Sequence, residues 1–147
     1  MSIPCAQVEV ILTARAGKRM TFVGMDGTTV DGSNPDLVDP MVSTLISMGI
    51  TPASYAGVVD ADLATLEDIP QFLDRCELRL LQNILGNMDM VTNRVGPRSE
   101  NLSDFSDALE KAITRKQEQI RKEYGAGVGT LSAGVINLGF METDEDA

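Results

Sequence analysis

Twenty-two acidic side chains and no histidine set the chemistry open to this 147-residue chain. Acid–base work would fall to carboxylates, of which Asp60, Asp62 and Glu67 lie close together in sequence. A chain this rich in acids contains many such pairs, and nothing in their spacing singles one out. Nucleophilic catalysis has even less support. Cys76 lies on an apolar stripe where a small buried side chain is the expected reading, and no imidazole exists to activate it or Cys5. Two cysteines 71 positions apart with no histidine also exclude Cys/His zinc spacing and a disulfide framework, and suggest a reducing, intracellular origin. The expectation is a protein without catalytic residues, metal or cofactor.

Two motifs invite ligand readings and fail on spacing. "GAGVGT" at 125–130 has glycines, but they follow a helical pattern and no lysine comes after them, so a phosphate loop is not expected. The third glycine of a dinucleotide fingerprint is also missing. "DGTTVDGSNPD" at 26–36 would offer Val30 as a calcium ligand and Asp31 where the loop needs glycine, so a double Asp-Gly turn is the better reading.

The net charge of −10 argues against gripping phosphates, which requires clustered Lys and Arg. The first residues, "MSIPCAQVEV", lack the basic and apolar regions of an export signal. The uncharged window 40–59 is interrupted by prolines, glycines and hydroxyl residues, and no membrane span is expected there or at the C-terminal end.

The elements that would carry these residues are mainly helical. Val8, Val10 and Leu12 alternate, "MTFVGM" is rich in strand formers, and Asp26-Gly27 and Asp31-Gly32 punctuate, which together predict a β meander over 7–31. Asn34-Pro35, Asp39-Pro40 and Thr51-Pro52 read as helix starts, the firmest helix being 40–48, stopped by Gly49. Asp68 caps a long core helix with Ile69, Leu73, Cys76, Leu80, Ile84 and Met88 on one side and Leu78, Leu81 and Leu85 on a flank. After a break at Gly96-Pro97, the last helix shows a narrow stripe: Leu102, Phe105, Leu109, Ile113, Lys116, Ile120 and Tyr124. Gly125 is its expected stop. The fold class is therefore mainly α, a helical bundle with a small β meander. One domain spans 1–124, with helices within 35–124, and an extended C-terminal arm with an acidic end covers 125–147.

Residues 124–141 carry no charge and include five glycines, so the arm has few side chains with which to offset the entropy of ordering. Ile136, Leu138 and Phe140 nevertheless share one face of an extended strand. That pattern suits strand addition to another subunit, or a groove on it. The expected partner-binding residues are Tyr124, Leu131, Val135, Ile136, Leu138 and Phe140.

Over residues 60–140 the order of elements resembles the head-tail adaptor (connector, head completion) proteins of tailed bacteriophages. "DLATLEDIPQFLDRCELRLLQNIL" is similar to their first long helix. "VGPRSENLSDFSDALEKAITRKQEQIRKEYG" is similar to their G-x-R-x-E-x-L-S…Y-G helix, with Gly96, Arg98, Glu100, Leu102 and Ser103 at the entry and Tyr124 and Gly125 at the exit. "GAGVGTLSAGVINLGF" is similar to their glycine-containing arm, matching at Val135, Ile136, Leu138 and Phe140. The resemblance implies a virion structural protein, made in the host cytoplasm, that forms a homo-oligomeric ring, a dodecamer, in the phage neck. Its partners would be the portal protein, reached by the arm, and a tail or lower neck protein. DNA would pass through without being specifically bound, which an acidic lining favours by repelling phosphate. The alternative is a small acidic helical adaptor or regulator that docks on a different protein through its last helix and tail.

Overall fold

The structure, a computed structural model, describes residues 2–95 and 99–125, and the side chains of those outside 89–102. Among the described residues it is a helical bundle of four α-helices: α1 (Cys5–Phe22), α2 (Val38–Ser47), α3 (Ile69–Val95) and α4 (Ser99–Tyr124). Short 3-10 turns at Pro35–Leu37 and Asp60–Leu63 join them. α3 is the axis, packed by α4, α2 and α1. Its Phe72, Cys76, Leu80, Leu81 and Ile84 meet Val8, Leu12 and Met20 of α1, Met41 and Leu45 of α2, and Leu109, Ile113 and Ile120 of α4 in one core.

The β meander expected over 7–31 is replaced by α1, and no strand occurs among the described residues. Val8 and Leu12 fit both periods, because four residues is two strand repeats and about one helical turn. Val10 separates them: a strand would bury it with Val8 and Leu12, but it is 41% exposed. The buried set Cys5, Val8, Leu12, Ala16 and Met20 steps by three and four. Thr21, one of the strand formers of "MTFVGM", and Thr13 return their hydroxyls to the carbonyls of Gly17 and Glu9, four residues back.

α1 also lacks a local start signal. Its N-cap is Pro4, without a capping side chain, and the N–H of Cys5 donates instead to Asp60 Oδ1 at 2.7 Å, 55 residues away. "AGKR" at 16–19, which would have to be the turn of a β meander, is helical. Gly17 in it is required because the backbone of Gly27 crosses α1 there: a Cβ on Gly17 would lie 2.8 Å from the Gly27 carbonyl oxygen, and one on Gly27 would lie 2.3 Å from that of Gly17.

The Asp-Gly pairs shape a loop rather than hairpins. Asp26 Oδ1 accepts from the N–H groups of Thr28 (3.0 Å) and Thr29 (3.1 Å), while Asp31 accepts from Ser33. Buried Asn34 ties the loop shut, donating to the carbonyls of Asp26 and Thr29 and accepting from the N–H of Asp36.

Asn34-Pro35 therefore opens a 3-10 turn, and α2 continues from Val38 with Pro40 in its first turn, where a missing N–H is tolerated. It ends at Gly49 with φ 84°. Thr51-Pro52 starts no helix; the chain remains irregular as far as Asp60. Asp68 caps α3 as expected, accepting from the N–H of Gln71 at 3.0 Å. α4 runs to Tyr124, and Gly125 stops it at φ 99°. On its exposed face Glu118 pairs with Arg121, three residues on.

The glycines give a test. Gly27→Ala forces two backbones apart and should destabilise by about 1–3 kcal/mol. Gly86→Ala, exposed within α3 with open space beside it, should stabilise by about 0.5–1 kcal/mol. Urea midpoints at unchanged slope measure both; a neutral Gly27→Ala would refute the close crossing.

Candidate functional site

Leu131, Val135, Ile136, Leu138 and Phe140 lie outside the described residues. Tyr124 lies within them and is anchored. Tyr124, the last residue of α4, donates its phenol hydrogen to Asp74 Oδ2 at 2.7 Å. Asp74 sits near the start of α3, so α4 runs back along α3 and its end returns to the first turns of that helix.

Four charged side chains surround this contact. Lys116 Nζ lies 3.3 Å from Asp74 Oδ1 and 3.1 Å from Glu77 Oε1. From α1, Arg15 Nη1 lies 3.3 Å from the same Asp74 oxygen and 3.0 Å from the same Glu77 oxygen. Two carboxylates on one turn of α3 thus bind two cations from different helices, which offsets the repulsion between the acids. Burial, then the hydrogen bond to Asp74, pushes the Tyr124 phenol above its usual value. Lys116, read as part of the apolar stripe, packs its stem there and delivers its charge to α3. Tyr124 was expected at a partner interface; the structure places its hydroxyl inside the chain's own ion-pair cluster.

The other candidates have structural work. Asp60 receives the Cys5 N–H, and Asp62 receives the N–H groups of Ala53 (3.1 Å) and Val59 (3.0 Å). Cys76 is fully buried, its thiol directed at the Pro40 carbonyl oxygen at 3.6 Å and pushed up to about 12 by burial. Burial, helped by Glu9 and Asp60, pushes Cys5 to about 11. Neither is a thiolate near neutral pH. Asp26 is held down at about 2 by the Thr29 hydroxyl and the backbone of Thr28, so its oxygens serve the loop.

Sequence reading missed a shallow cleft of about 440 Å³ between the 32–35 loop, α2 and the 56–58 segment. Pro35, Val38, Met41 and Val58 supply apolar walls, and Gly32, Ser33, Ala56 and Gly57 a rim of small residues. Glu9 also borders it. Its side chain is 1% exposed and turned onto the N–H groups of Gly32 (2.7 Å) and Asn34 (3.0 Å). Only the small, uncharged residues of 53–58 hinted at such a surface.

No family model, curated protein or solved structure matches this chain.

The Tyr124 contact predicts an alkaline signature. A phenol whose pKa is higher folded than unfolded contributes stability that is complete below the unfolded value, 10, and is lost as pH rises above it. The two thiols add a similar loss beginning near their ordinary value of 9. Tyr124→Phe should cost about 1 kcal/mol at neutral pH. The difference between wild type and variant should then shrink above pH 10, as followed by urea unfolding. A difference independent of pH would refute the assignment.

Proposed function

We propose that the chain is a structural subunit of a tailed-phage neck. In this reading it forms a ring between the portal and the tail or next neck protein, and its C-terminal arm docks on a neighbouring molecule, the portal being the expected one. DNA passes through an acidic channel without being held. The observation that carries the reading is where the helical domain stops. α4 closes on α3 through Leu109, Ile113 and Ile120, Tyr124 fastens the last turn, and Gly125 ends the helix. The uncharged stretch with Ile136, Leu138 and Phe140 therefore begins after a bundle that already has a continuous core. A net charge of −10 suits a conduit for DNA, since like charge limits adhesion.

The alternative, a regulator docking on a different protein through its last helix and tail, needs a free apolar face on α4 as well as the tail. Among the described residues, none of the large exposed hydrophobic side chains lies on α4. The stripe is occupied by α3, which favours the arm over the helix as the docking element.

Deleting residues 125–147 should leave the helical circular dichroism nearly unchanged and abolish capture by a portal protein. Native mass spectrometry and negative-stain images of the full chain with the portal should show a ring. A one-to-one complex, or loss of the fold on truncation, would overturn the reading.

A further inference from the structure

The segment 50–59, "ITPASYAGVV", is uncharged in a chain where nearly a quarter of the residues are charged. It has no regular structure, yet its backbone is fixed. Asp62 closes it by accepting from Ala53 and Val59, and Ser54 Oγ accepts from the N–H of Ala56 at 3.1 Å. The closed segment displays Tyr55, 67% exposed, and Val59, 55% exposed, while Ala56, Gly57 and Val58 form one wall of the cleft. Displaying an aromatic ring on a preorganised, uncharged loop is how proteins build contact surfaces. Beside Gly32 and Gly57 the space is open, since an added Cβ at either would meet nothing within 4 Å. A foreign backbone could come close there.

We infer that this cleft, with Tyr55 and Val59 at its edge, receives the Val135–Phe140 stretch of a second copy of the chain. The inference rests on the neck reading for the arm's being intermolecular, and replaces the portal as its receptor with the next subunit in the ring, portal capture then depending on the arm through assembly of the ring. Charge is the first argument. Two copies each at −10 repel, so they must meet through uncharged surfaces, and both the cleft walls and residues 124–141 are uncharged apart from the sequestered Glu9. Reach is the second. The eleven residue steps from Gly125 to Ile136 can span about 36 Å when extended. A domain of this size has a radius of gyration of about 14 Å, so the arm can clear its own subunit. Shape is the third. In an extended conformation Ile136, Leu138 and Phe140 would share one face by the two-residue period, and a cleft of about 440 Å³ with apolar walls and small-residue rims has room for such side chains, with the strand's backbone across its open mouth. Such a contact joins the arm of one copy to the cleft of the next. It is head-to-tail, and closes into a ring when the rotation allows.

Complementation tests this with full-length chains. Gly57→Glu puts a charge into open space in the cleft wall and leaves the arm intact; Phe140→Asp spoils the arm and leaves the cleft intact. Sedimentation velocity should show self-association of the wild type and about a tenfold or greater weakening in each variant, with unchanged circular dichroism. An equimolar mixture should form dimers and nothing larger, because each pair retains one good arm and one good cleft. Ala56→Glu, at an exposed position, repeats the cleft arm of the experiment should Gly57→Glu misfold. A monomeric wild type, cleft variants that assemble normally, or a mixture that stays monomeric would each overturn the inference. Portal capture separates the two readings. If Phe140→Asp abolishes it while Gly57→Glu does not, the arm docks on the portal, and the neck reading stands without this receptor. If wild type neither binds portal nor forms rings, the neck reading falls as well.

Discussion

Two acids one turn apart on α3 hold the bundle in register. Asp74 and Glu77 are nearly out of water and would repel each other and resist burial if left alone. Lys116 from α4 and Arg15 from α1 answer both, and Tyr124 adds a third donor to Asp74. Apolar packing alone specifies register weakly, because exchanging aliphatic side chains of similar volume usually costs less than about 1.5 kcal/mol. The ion-pair cluster is not interchangeable. A slip of α4 would take Lys116 and Tyr124 away from two nearly buried carboxylates and leave Arg15 alone to answer both, a penalty of a few kcal/mol. The position of Gly125, where the last helix stops, follows from that register.

The same chemistry recurs in the loops. Glu9 receives the backbone of Gly32 and Asn34, Asp36 that of Asp26, Asp60 that of Cys5, and Asp62 that of Ala53 and Val59. With few aromatic side chains to weigh down its connections, the chain fastens them through carboxylates. Part of its acid excess therefore organises the fold, and only the remainder is available to shape an outer field.

What could be read from residues alone follows from where the signals reside. α3 and α4 carry their caps, stripes and stops within their own sequence: Asp68 before, Gly125 after, leucines and isoleucines at helical spacing between. They were legible. α1 was not, because its cap is Asp60, its glycine answers Gly27, and the residue that decides between strand and helix, Val10, decides only by facing water. Tertiary partners overrode local preference. Tyr124 was singled out for its place at the arm's root, but its partner Asp74 lies 50 residues away and nothing in the spacing announced it. The cleft is assembled from four separated stretches and left no motif.

The sealed thiols have a practical corollary. Cys5 and Cys76 are buried, and both remain protonated near neutral pH. Maleimides and iodoacetamides react with thiolates that solvent can reach. The native protein is thus silent toward such reagents, and a single cysteine engineered onto its surface would be the one handle for a dye, spin label or crosslinker without first stripping out the natural pair.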